Sequence, residues 1–249
     1  MGHKLNRKDS QRRQFVLEGN MWQVVLSISL PLAMYNCFNG IFVFLDTLMA
    51  SHISSDVVSA IAYLSQIKST ISAIGIGLSV AGGIIIARYY GAGDLKTAKK
   101  YVNTLLFLSL IIGIGLLVIV VPSTKPILRF INTPEELINV GSTYFAIEIV
   151  TIVSIFINNV YIAVEKAKGN TKKILFLNLM VLAIKLPLTA LFIYVFNFGI
   201  TMIAIASLIA HMSLTLVGIF DMINPQNVFK ISSKDIDLSW KVVKPILIL

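Results

Sequence analysis

The sequence is poor in the residues that build covalent or metal frameworks. It holds one cysteine, Cys37, among 249 residues, so neither an internal disulfide nor a four-cysteine zinc site can form. Its three histidines, His3, His52 and His211, stand far apart and without ligand spacing, and no metal site is expected. Charge is scarce too: 13% of residues are Asp, Glu, Lys or Arg, against roughly 25% in an average soluble domain. Half the usual density cannot cover a water-soluble globule of this size. What is abundant is apolar: 56% of the residues are hydrophobic and the mean hydropathy is +0.83. The chain reads as a bundle whose outer surface faces lipid.

No charged residue occurs in 19–45, 69–87, 101–124, 149–164 or 186–220. A helix needs about 20 apolar residues to cross the hydrocarbon core of a bilayer. The expected fold is therefore an all-α integral membrane bundle with six spans, at about 23–49, 57–87, 102–122, 138–164, 174–196 and 200–221. Asn197-Phe198-Gly199 splits the longest uncharged run, because Asn and Gly tolerate the backbone of a tight reversal. Residues 1–20 form a basic tail, 21–222 the six-helix lobe, 223–238 a linker and 239–249 the start of a seventh helix.

The net charge of +9 is mainly a topology signal. Seventeen of the 21 Lys and Arg residues fall in the tail, 88–100, 166–173 and 223–244, and the opposite connections hold only Lys125 and Arg129. That bias places the N-terminus and the 223–244 segment in the cytoplasm of a cell (inner, cytoplasmic) membrane protein. No nucleic-acid partner is expected. The apolar run behind the basic tail is too long for a signal-peptide core and lacks a small-x-small cleavage site, so the first span is expected to be retained.

Trp22-Gln23-Val24-Val25-Leu26-Ser27-Ile28 returns in outline as Trp240-Lys241-Val242-Val243-Lys244-Pro245-Ile246. Internal similarity of this kind marks two-lobed transporters. The chain stops at Leu249, inside an apolar run. The expectation is one lobe of two, with a C-terminal lobe as its partner.

Asp46, Lys68, Glu148 and Lys185 fall within spans. Each costs roughly 2.5–3.5 kcal/mol at the bilayer centre when unpaired. Two positive and two negative groups at similar depth can neutralise one another around an internal cavity that receives a small-molecule substrate or an ion. Asn36 and Asn39 share the first span with Asp46, with Gly40 beside them and Pro31 placed to kink the helix. Gln66 precedes Lys68. In the second span Gly75, Ser79 and Gly83 recur every four residues, a stripe of small side chains that lets two helices approach closely. Pro187 follows Lys185 and removes one helical hydrogen bond, with Thr189 beyond. His211 is solitary and reads as satisfied within the bundle.

Several segments then fall together: Phe44-Leu45-Asp46-Thr47-Leu48-Met49, Arg88-Tyr89-Tyr90-Gly91-Ala92-Gly93-Asp94 at the end of span 2, and Lys166-Ala167-Lys168-Gly169-Asn170-Thr171-Lys172 at the exit of span 4. Over about Glu18 to Leu249 the chain resembles the N-terminal lobe of a bacterial-type multidrug and toxic compound extrusion (MATE) transporter. The resemblance implies half of a twelve-helix, two-lobed antiporter. Such a protein exports small amphipathic, often cationic compounds through a central cavity, drives this with a proton or sodium gradient, and needs no cofactor. It also implies a span-1 aspartate cooperating with an Asn and an Asp on span 5. Asp46 matches the first, but Lys185 and Thr189 occupy the other two positions. Lys185, or alternatively Lys68, is expected to pair with Asp46 instead. The alternatives are a lipid-linked precursor flippase of the same fold group, which would line its cavity with several arginines, and a non-transporting membrane scaffold. No enzyme is expected, since Asp46 has no second in-span aspartate and His211 no catalytic partner.

Overall fold

The apolar runs form helices throughout. A computed structural model describes residues 7–248, together with the side chains of these residues except 7, 8, 39 and 42. Among the described residues nine α-helices follow one another: α1 (Arg7–Glu18), α2 (Met21–Ser51), α3 (Ser55–Ala92), α4 (Leu95–Val120), α5 (Thr124–Phe130), α6 (Glu135–Ala167), α7 (Thr171–Ala190), α8 (Thr201–Ile223) and α9 (Trp240–Ile248). A π-helical turn, Leu191–Val195, prolongs α7 beyond Pro187. Among the described residues six helices, α2, α3, α4, α6, α7 with its π-turn and α8, are long and apolar enough to cross a membrane. They coincide with the six expected spans and overrun several of them; α3, with 38 residues, is about 57 Å long at 1.5 Å per residue. The short helix α5 lies where the sequence suggested only a connection. The protein is a multi-pass membrane protein.

Local chemistry sets the helix ends. Asn20, Ser54 and Asp94 accept hydrogen bonds from the first-turn amides of Trp22, Val57 and Thr97 at 3.0, 3.2 and 3.1 Å, which satisfies amides that have no intrahelical partner. Two helices close through left-handed glycines, Gly93 (φ 83°) after α3 and Gly169 (φ 72°) after α6. In each turn the next residue's amide reaches back five places, Asp94 N to Tyr89 O at 3.0 Å and Asn170 N to Glu165 O at 2.9 Å, and this absorbs an otherwise orphaned carbonyl. The reversal before α8 uses Asn197 (φ 51°) as its left-handed residue, not Gly199.

Helix α6 is the central post, packed against α3, α4 and α8. The small-residue stripe serves that packing. A Cβ on Gly75 would overlap the ring of Phe156, and one on Gly83 would press on Ala163 Cβ at 3.2 Å. Two apolar clusters result. One, around Ile86, Val102, Leu105, Tyr161 and Phe229, lies toward the end bearing the lysine-rich turns. The other, around Leu64, Phe145, Ile149, Ile152 and Phe156, lies toward the opposite end. Helix α2 stands apart. It packs chiefly on α7, and Ala50 is its one buried residue among those described.

A cavity lined by two ion pairs

Lys68 and Glu148 lie at the same offset from the starts of α3 and α6, which pack side by side, so their side chains meet. Lys68 Nζ donates to Glu148 Oε2. On the adjoining pair of helices, Lys185 Nζ of α7 donates to Asp46 Oδ2 of α2. Of the two pairings open for Asp46, the structure shows the one with Lys185. Both ion pairs line one cavity of about 370 Å³, whose wall includes Val43, Ser65, Tyr144 and Ile203. The charged residues of that wall are these four.

The four groups are unequally covered. The side chain of Glu148 is 2% exposed, whereas Asp46, Lys68 and Lys185 are at 20–22%. Glu148 is thus sealed behind its lysine, and the Asp46–Lys185 pair opens to the cavity. Asp46 Oδ1 and the Thr189 hydroxyl have no hydrogen-bond partner among the described residues. A buried polar group left unpaired costs about 1–3 kcal/mol, so the pair on α2 and α7 is less completely satisfied than a purely structural bridge would be.

The other expected site residues sit elsewhere. Thr189 is fully buried one turn from Lys185, outside the cavity wall. Gln66 and Asn36 are exposed. Gln66 is about 200° around the helix from Lys68, on the opposite face. Asn36 is about 80° and nearly three turns from Asp46. The side chain of Asn39 lies outside the described residues.

The family model MatE matches residues 31–191, well over half of the chain. The chain belongs to the MatE family. It is 27% identical over 207 residues to the probable multidrug resistance protein YpnP of Bacillus subtilis (strain 168), a match covering 83% of this chain and 46% of that one. It is 28% identical over 142 residues to the multidrug export protein MepA of Staphylococcus haemolyticus (strain JCSC1435), covering 57% of this chain and 31% of that one. An outward-facing multidrug resistance MATE family transporter of the MOP superfamily superposes with a TM-score of 0.87 at 21% identity, covering 98% of this chain and 53% of its own. The chain thus spans about half the length, or less, of the relatives it matches.

Two polar features of this MatE chain were not singled out in the sequence. A second cavity of about 250 Å³ lies between α2, α6, α7 and α8, lined by Tyr35, Asn158, Asn159, Asn178 and His211 among others. Asn158 Nδ2 donates to the backbone oxygen of His211 at 3.0 Å, but His211 Nδ1 and Asn159 Nδ2 have no partner among the described residues. The bundle therefore leaves one side of the imidazole unsatisfied, contrary to expectation. The asparagines escaped notice because an amide in an apolar run carries no charge to flag it.

At the lysine-rich end, fully buried Glu165 sits among Lys168, Asn170 (Nδ2 to Oε2, 2.6 Å) and Lys173 (3.7 Å). Arg13 of α1 donates to Gly91 O at 2.8 Å. The segment between α8 and α9 is strapped to α4 by Lys99–Asp235 at 2.8 Å and by Lys100–Asp237. The Lys100 ammonium and the Ser239 amide hold the Asp237 carboxyl down to about 2. In the sequence these lysines signalled only which end is basic.

Proposed function

We propose that the chain is one lobe of a secondary antiporter of the cytoplasmic membrane that exports small amphipathic compounds, driven by a proton gradient through the cavity at the Asp46–Lys185 pair. The observation that carries this reading is the meeting of two ion pairs, from four helices, on one cavity. Charges inside a membrane protein are expensive, and an inert buried pair can often be replaced by apolar packing without loss. Two such pairs open to one cavity favour a binding function. Relatives named for multidrug resistance and export support compound efflux. The lysine-rich end is read as cytoplasmic. Exposed Asn36 and Gln66, on helices long enough to span the membrane, favour a wet cleft facing a second lobe.

In this cycle a proton neutralises Asp46, the attraction for Lys185 ends, and α2 loses its ionic tie to α7. Sodium fits less well, because it wants several oxygen ligands and the Lys185 ammonium repels it. A flippase for lipid-linked precursors fits less well too, because the cations of the cavity are two lysines and not a set of arginines able to grip pyrophosphate bidentately.

The full-length protein in proteoliposomes tests this. A proton gradient should drive dye movement, a sodium gradient alone should not, and Asp46→Asn and Lys185→Ala should each uncouple movement from pH. Unchanged proton coupling in both variants overturns the reading.

A further inference from the structure

We propose that this cavity is a site for zwitterionic amphiphiles, the substrate's carboxylate going to Lys185 and its cationic group to Asp46 while the Lys68–Glu148 pair stays closed. The inference rests on the exporter reading above and narrows its substrate class.

The argument is one of charge balance. The cavity wall holds two ammonium groups and two carboxylates, already paired one to one. A purely cationic substrate that took Asp46 would strand Lys185, leaving three positive charges against two negative. A purely anionic substrate that took Lys185 would strand Asp46, giving the reverse. An uncompensated charge in a site of low dielectric is strongly unfavourable. A molecule with one charge of each sign inserts between Asp46 and Lys185 and leaves three against three.

Burial says which pair opens. Glu148, at 2% exposure, is out of a substrate's reach behind Lys68, whereas Asp46 and Lys185, at 20% and 22%, face the cavity together. The free valences agree. An ammonium carries three donors and, among the described residues, Lys185 uses one on Asp46 Oδ2, while Asp46 Oδ1 is buried without a hydrogen-bond partner there, an acceptor that parting of the pair would uncover. A volume of about 370 Å³ lies within the range of small-molecule sites, roughly 300–1,000 Å³. The same arrangement gives exchange with protons: protonating Asp46 removes the partner of the substrate's cationic end, so proton and zwitterion compete.

The test uses three fluorescent probes on one ring framework: rhodamine 110, a zwitterion; its methyl ester rhodamine 123, a cation; and fluorescein, an anion. Binding to the full-length protein is read by fluorescence anisotropy, and movement in proteoliposomes under a proton gradient. Wild type should bind rhodamine 110 about 10- to 100-fold more tightly than either other probe, the span of one charge-assisted hydrogen bond. Lys185→Gln should turn the preference toward rhodamine 123, and Asp46→Asn toward fluorescein. The double variant Asp46→Asn/Lys185→Gln, which leaves no stranded charge and so protects folding, should discriminate among the three by less than about threefold. Equal or better wild-type binding of rhodamine 123, unaltered preferences in the single variants, or binding of none of the probes overturns the inference. Discrimination without gradient-driven movement overturns the exporter reading alone, and movement without discrimination overturns this inference alone.

Discussion

The phenol of Tyr161 on α6 donates to Asp221 Oδ2 on α8 across 3.0 Å, and the same oxygen receives Lys173 Nζ at 3.0 Å and Asn227 Nδ2 at 3.2 Å. One carboxylate oxygen thus ties α6, α7 and α8 to the segment that follows. The Tyr161 ring is also closely packed on Gly218, where an added Cβ would stand 3.1 Å from the ring. Tyr161→Phe should cost about 1 kcal/mol and Asp221→Ala about 2 kcal/mol. Thermal unfolding of the purified protein checks this; equal melting temperatures for wild type and Asp221→Ala would show the hub to be idle.

Glu165 has no exposed surface and Lys168 is 6% exposed. Removing one partner strands a buried charge, whereas removing both strands none. Glu165→Leu should destabilise by about 3–5 kcal/mol, and Glu165→Leu/Lys168→Met by clearly less. A denaturation series on the two variants decides; a double variant worse than the single one would refute a stranded charge as the cause.

Gly169 sits at φ 72°, with Val16 of α1 only 3.2 Å from the position a Cβ would take. The left-handed backbone costs a side-chain-bearing residue about 1–2 kcal/mol. Gly169→Ala should therefore lower stability by that amount and loosen α1, readable as faster hydrogen exchange in residues 9–18. Gly77→Ala, in ordinary helical backbone with no atom within 4 Å of the added carbon, is the control and should hold or slightly raise stability.

Acid should release the strap on α4. The folded-state value for Asp237, about 2, lies below its ordinary 3.8. The stabilisation from its bonds to Lys100 and Ser239 is thus complete above about pH 4 and disappears as the pH falls through about 2. The Asp237 amide, bonded to Thr104 Oγ1 at 3.0 Å, should lose exchange protection across that window after correction for intrinsic exchange. In Lys100→Ala the loss should begin at higher pH; identical profiles would reject the linkage.

Replacing the His211 imidazole, whose Nδ1 lacks a partner among the described residues, with an apolar side chain should leave stability unchanged or slightly raised, because removing an unpaired buried polar group relieves its desolvation penalty. A fall of more than about 1 kcal/mol in His211→Leu, measured by thermal unfolding, would show that Nδ1 has a partner of consequence.

The spans were legible because charge is excluded from them, and Gly93, Gly169 and the Gly75-Ser79-Gly83 stripe because glycine at a turn or close contact has few substitutes. Asp46, Lys68, Glu148 and Lys185 stood out for the converse reason, as charges where lipid tolerates few. Which lysine meets which carboxylate was not legible, since it depends on α3 and α6 running in register and on α2 leaning against α7. Gln66 shows the limit: two residues from Lys68 in the chain, it points away from the cavity. The cavity lined by Asn158, Asn159 and Asn178 was hidden because three uncharged amides converge on it from two helices.

Helix α2 touches the rest of the lobe along little more than α7, and among the described residues its polar ties across helices, Thr171 Oγ1 to Ser27 O at 3.1 Å and Lys185 to Asp46, both run there. Its outward side chains, including Leu26, Leu30, Ile41 and Phe44, are exposed, so a bilayer around the lobe would supply the apolar contacts that protein supplies to the other helices. Lipid should then act as a structural component for this one element. Bilayer thickness and fluidity should set the position of α2, and with it the fit of Asp46 to Lys185, before they disturb any other helix.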